Sequence, residues 1–114
     1  MNTTIACCAP VQITEPEESQ RSVAIFKALG DPTRYEIFRL IASQNDAICV
    51  CNINLNFEVS QPTISHHLKV LREAGLITVS RRGTWAYYEV DQTGIEFLQQ
   101  VVSTFQPALA GTHS

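Results

Sequence analysis

Apolar residues fall at helical spacing from about Ser22, with Val23, Ile25, Phe26 and Leu29 on or beside one face and Gly30 as a stop. Asp31-Pro32 then opens a second helix: Asp31 can cap, and Pro32 sits where a missing N–H is harmless. Tyr35, Ile37, Phe38, Leu40 and Ile41 form its apolar side. Polar Ser43-Gln44-Asn45-Asp46 reads as a loop, and Ala47 to Asn56 as a short third helix contributing Ile48, Ile53 and Leu55. A fourth helix runs from the cap Ser60 to Glu73 or Ala74, where Gly75 ends it, with Ile64, Leu68 and Leu71 as its buried stripe. The pattern then turns to β: Leu76 to Ser80, a turn at Arg81-Arg82-Gly83, and Thr84 to Val90. A last helix, Gln92 to about Phe105, carries Ile95, Leu98, Val101 and Val102.

The expected order is therefore four helices, a hairpin and one helix, a mainly α fold of the winged helix-turn-helix class. Residues 1–21 are polar or acidic, hold Pro10 and Pro16 and show no period, so they read as a flexible N-terminal arm. Residues 22–106 form the domain and 107–114 a C-terminal tail, with no internal repeat. A length of 114 residues fits one domain. No signal-like start and no apolar run of membrane-spanning length is visible, so a cytoplasmic protein with no membrane partner is expected.

Charge changes this picture through its placement. The net charge is only -3, but Glu15, Glu17 and Glu18 crowd the arm, while Ser60 to Gly83 holds Lys69, Arg72, Arg81 and Arg82 against Glu73 alone. A short helix, a turn, a polar-faced helix and a basic-tipped hairpin suit a reader of double-stranded DNA, with the second helix in the major groove and the hairpin along the backbone. Ser60, Gln61, Thr63 and Ser65 offer hydrogen-bonding groups near the start of that helix, and Lys69, Arg72, Arg81 and Arg82 can neutralise phosphates. Trp85, Tyr87 and Tyr88 read as packing within the hairpin.

Four cysteines, Cys7-Cys8 and Cys49-Val50-Cys51, stand in two groups. In a reducing compartment such clusters bind metal or act in redox chemistry more often than they form a disulfide framework. Thiolate is a soft ligand that selects Cd(II), Pb(II), Zn(II), Cu(I) and trivalent arsenic over hard cations. Residues i and i+2 of a helix diverge by about 200°, so Cys49 and Cys51 can hold one ion only if Cys49 lies at or before the first turn. The alternatives are small core cysteines or a thiol redox switch. A thiol enzyme lacks support: no base is paired with a cysteine, and neither a nucleotide-binding glycine loop nor Cys-x-x-Cys is present.

The segments Leu29-Gly30-Asp31-Pro32-Thr33-Arg34, Ser60 to Leu71, Ala74-Gly75-Leu76 and Arg81-Arg82-Gly83 resemble the signature segments of the ArsR/SmtB repressors, over about Val23 to Phe105. The resemblance implies a winged-helix homodimer on a palindromic operator, with the first and last helices making most of the dimer contact. It places His66 and His67 on the recognition helix, about 100° apart, so that His66 is a DNA-contact candidate and the pair does not share an ion. Ile48 to Ile53 is similar to the metal box of the family's arsenic, lead and cadmium sensors, which implies Cys7, Cys8, Cys49 and Cys51 as ligands, arm to third helix across subunits. Asn54 stands where one arsenite-sensing pattern has a further cysteine, and the arm carries an adjacent Cys-Cys pair. The implied inducer is therefore As(III) or Sb(III) first, with Cd(II), Pb(II) or Zn(II) on four sulfurs as the alternative. Gln92 to Gln106 holds no histidine, and only Asp91 hints at the last-helix site of zinc and nickel sensors, so no site is expected there.

Overall fold

The computed structural model describes Pro10 and residues 15–106. The chain runs α1 (Pro16–Leu29), α2 (Pro32–Ala42), β1 (Ile48–Cys49), α3 (Val50–Leu55), α4 (Gln61–Glu73), β2 (Ile77–Arg82), β3 (Trp85–Val90) and α5 (Gln92–Ser103). The strands form one antiparallel sheet in the order β1-β3-β2. This is the mainly helical winged-helix architecture expected. Among the described residues no helix is long and apolar enough to cross a membrane.

The helix starts follow capping chemistry. Asp31 accepts from the Arg34 N–H at 2.9 Å, and Asp91 accepts from the Thr93 N–H at 3.0 Å and its hydroxyl at 2.7 Å. α1 departs from expectation by starting at Pro16, so the end of the expected 1–21 arm is helix. Its opening turns are fully exposed and have no apolar stripe to betray them, but Pro16 at the first position and Glu17 and Glu18 in the first turn suit a helix start.

The third helix, by contrast, is shorter than expected. Ile48 and Cys49 are extended and pair with Tyr88 and Tyr87 of β3, and helix begins only at Val50. A two-residue strand is too short to show a period. In the hairpin, Arg82 pairs with Trp85, so Gly83-Thr84 is a two-residue turn with Gly83 at φ 66°. Arg81 and Arg82 thus end β2 and do not form the turn itself.

The core gathers Ile25 and Ala28 of α1, Ile37 and Ile41 of α2, Ile53 of α3, Ile64, Leu68 and Leu71 of α4, and Leu76 and Ile77 leading into β2. α5 closes against the α4–β2 corner, where the Asp91 N–H donates to the Leu76 carbonyl at 2.9 Å. Gly94 of α5 packs on the Gly75 backbone with no room for a Cβ.

Candidate functional site

α4 separates two chemistries. Ile64, Leu68 and Leu71 are buried, while Gln61, Ser65, His66, Lys69 and Arg72 are exposed along the opposite side. Ser60 and Thr63 are engaged in starting the helix: the Ser60 hydroxyl accepts from the Thr63 N–H at 3.3 Å and lies 2.8 Å from the Thr63 hydroxyl. Of the residues expected at the base edges, Gln61 and Ser65 are therefore the unencumbered ones.

The two histidines part company. His66 is exposed, while His67 is buried beneath α4 and held by Arg34 of α2. Arg34 also donates to the Ala28 carbonyl at 2.6 Å and the Lys27 carbonyl at 3.3 Å, tying the end of α1 to α2 and α4. A guanidinium only donates, so His67 Nδ1, 3.1 Å from Arg34 Nη1, must accept and the ring proton sits on Nε2. That nitrogen lies 3.8 Å from the Asp31 carboxylate. Burial lowers the His67 pKa and outweighs the pull of Asp31, with Arg34 adding to the lowering. The Asp31 carboxyl is held below its usual range, first by the Arg34 backbone N–H and then by His67 and Arg34. The imidazole is thus a neutral bolt under the reading helix.

Strand alternation gives the sheet two distinct faces. Ile48, Ile77, Val79, Ala86 and Tyr88 face the helices, and by register Arg81, opposite Ala86, shares their side. Cys49, Tyr87 and Ser80 line up across the other face, with Trp85 and Arg82 in the next row. The Arg82 guanidinium lies over the Tyr87 ring, 4.3 Å from its centroid. Trp85 is 53% exposed, so packing within the hairpin does not account for it.

Cys49 is extended, at the cap position immediately before α3, which meets the condition set by helical geometry. Its sulfur lies 2.6 Å from that of Cys51, and both are free thiols. Cys49 accepts from the Cys51 thiol and backbone N–H, so its pKa is lowered, with a smaller contribution from the Tyr87 hydroxyl. Cys51, as the donor of that contact and through burial, is raised. The sulfurs open onto a cleft of about 620 Å³ walled by Asp46, Asn52, Trp85 and Tyr87 among others.

A tetrahedral ion with sulfurs at about 2.3 Å holds them about 3.8 Å apart. The pair fits one thiophilic tetrahedral ion after opening by about 1 Å. Among the described residues no group of three or more His, Cys, Asp or Glu could hold a metal, so further donors must come from elsewhere. Cys7 and Cys8, expected to supply them, lie outside the described residues. Sequence reasoning missed Arg34 and Asp31 as supports of α4, and Tyr87 and Trp85 as walls of the thiol cleft. The alternation of the β3 residues, set beside a cysteine immediately before a helix, held no sign of which strand would pair with it.

Residues 31–79 match the family of bacterial regulatory proteins designated arsR. The chain is 42% identical over 90 residues to an arsenic resistance transcriptional regulator of Pseudomonas putida, covering 75% of this chain and 70% of that protein. It is 44% identical over 86 residues to an uncharacterized HTH-type transcriptional regulator of Methanocaldococcus jannaschii, covering 75% and 96%. Its structure is similar to the homodimeric winged helix-turn-helix DNA-binding domain of a Mycobacterium bovis protein, with a TM-score of 0.61, 25% identity, and 82% and 91% of the chains covered.

Proposed function

The chain belongs to the arsR family of DNA-binding transcriptional regulators, which are not enzymes, and from that premise we propose that it is a homodimeric repressor released from its operator by As(III). The observation that carries this reading is the pair of free thiols 2.6 Å apart where β1 of the wing's own sheet runs into α3. Arsenic is favoured over other thiophilic ions by the Pseudomonas putida relative, named for arsenic resistance. A three-sulfur site also asks for only one donor beyond Cys49 and Cys51. Cys7 or Cys8 on the segment before α1 supplies it, from the same chain or its partner. In binding, each thiol gives its proton to a hydroxyl of arsenous acid, which leaves as water as the As–S bond forms; no electrons are exchanged.

The reading face of α4 meets base edges through Gln61 and Ser65, with His66 beside them, while Lys69, Arg72, Arg81 and Arg82 hold phosphates. The dimer surface is the exposed apolar face of α1 together with α5 and the turn that follows it. Val23, Phe26, Val102 and Phe105 lie open there, with the Phe26 and Phe105 rings stacked 6.3 Å apart. Such a dimer offers two reading helices to half-sites about 34 Å apart. A coupling of about 1–3 kcal/mol, typical of allosteric regulators, weakens DNA binding five- to 150-fold.

The test uses a duplex selected by the reduced protein from a randomised pool. As(III), Sb(III), Cd(II), Pb(II) and Zn(II) are titrated in turn while thiolate-to-ion absorption and DNA anisotropy are followed. As(III) should release the wild type. Cys49→Ser and Cys51→Ser should abolish release, and Cys7→Ser or Cys8→Ser should weaken it. Release first by Cd(II), Pb(II) or Zn(II) would replace arsenic with a four-sulfur site, and normal release of every serine variant would refute the ligand assignment.

A further inference from the structure

Resting on that reading, we propose that Tyr87 couples the thiol pair to DNA, because its ring lies between the cleft of Cys49 and Cys51 and the guanidinium of Arg82. β1 consists of Ile48 and Cys49 alone, and Cys49 pairs directly with Tyr87. Tyr87 also lines the cleft onto which both sulfurs open. On the same face of the sheet, diagonal to it, Arg82 rests on the ring at 4.3 Å. One aromatic side chain therefore serves as a wall of the ligand cleft and as the platform that aims a phosphate-binding cation.

The consequence follows from space. Chelation must separate the sulfurs beyond their 2.6 Å contact and bring at least one further donor into the cleft. Cys49 cannot retreat freely, since it is both strand partner and helix cap. The further donor enters the cleft against Trp85 and Tyr87, and a shift of the Tyr87 ring on its arrival removes the support of Arg82. Arg81, on the opposite face, has no such contact with the cleft. Ion capture thus disengages one arginine of the wing in each subunit while α4, bolted by Arg34 and His67, keeps its seat.

This makes a prediction distinct from a general loss of affinity. Each phosphate contact contributes about 0.9 to the slope of log K against log salt. Loading both subunits with As(III) should therefore flatten that slope by about 1.8, one Arg82 contact per subunit. Arg82→Gln should show the same flattened slope without As(III), and adding As(III) should then change affinity by less than twofold. Arg81→Gln should also bind more weakly, yet retain the full As(III) response. Tyr87→Phe keeps the ring and should retain the change of slope on As(III) loading, whereas Tyr87→Leu should resemble Arg82→Gln.

Anisotropy titrations across a salt series, with and without As(III), read all of these. Arg82 is exposed, so its variant tests the proposal even if Tyr87→Leu does not fold. If wild type releases and Arg82→Gln releases by the same factor with an unchanged slope difference, the Tyr87 coupling is refuted and the repressor reading stands. If As(III) leaves wild type on the duplex, the As(III)-release reading fails and takes this one with it.

Discussion

Replacing Gly94 with alanine should destabilise the protein although alanine is the better helix former. The added Cβ would sit 2.9 Å from the Gly75 carbonyl carbon, closer still to its oxygen, and 3.6 Å from the Leu76 Cα. All three are backbone atoms of the corner between α4 and β2, so no flexible side chain can swing away. Ordinary contact begins at about 3.5 Å, so α5 must retreat by about 1 Å or more. That movement strains the packing by about 1–3 kcal/mol. It also endangers the Asp91–Leu76 hydrogen bond at the same corner, for about 1 kcal/mol. Helix propensity returns about 0.5–1 kcal/mol. The net loss is about 1–3 kcal/mol, or roughly 5–20 °C in Tm for a domain of this size. Thermal and urea unfolding at fixed protein concentration measure it, with Gly30→Ala as control. Gly30 has a helical φ of -83° and only a snug approach of 3.3 Å to the Phe26 carbonyl. Because α5 bears Val102 and leads into Phe105, the same variant should dimerise less tightly and lose operator affinity. A Gly94→Ala protein as stable as wild type would show that α5 does not depend on this close approach.

Stability should fall as the pH drops below about 6.5, the ordinary histidine value. His67 and Asp31 both hold a proton less readily in the folded chain, so the unfolded chain binds more protons and stability present above that pH is lost through the folded His67 range and then that of Asp31. His67→Gln should flatten the first part of the decline in denaturant midpoints, and an unaltered profile would remove His67 from it. Phe105→Ser, at a side chain 67% exposed and stacked on Phe26, should leave the isolated chain folded while raising the dimer dissociation constant at least tenfold by sedimentation. An unchanged dimer would place the interface elsewhere.

The reading helix was legible because its signals agree: the Ser60 cap, the Ile64, Leu68 and Leu71 stripe, and Gly75 at φ 82° just past the end. The Cys49 position could be stated in advance as a geometric condition, and the structure meets it. What stayed hidden depended on partners distant in sequence. The opening of α1 has no buried side and so no period. β1 exists only because β3 lies beside it. The bond between Arg34 and His67 spans 33 positions, and nothing local to either residue distinguishes a bolt from a surface histidine. Trp85 and Tyr87 alternate with Ala86 and Tyr88, but alternation does not reveal what faces each side.

The tight connection at Gly83 has a consequence that reaches past its own geometry. Side chains on a strand swap sides with every step, so sliding one arm of the hairpin by a single residue would exchange Arg81 and Arg82. The left-handed backbone of one glycine thereby decides which of two chemically identical neighbours shares a face of the sheet with Cys49 and Tyr87.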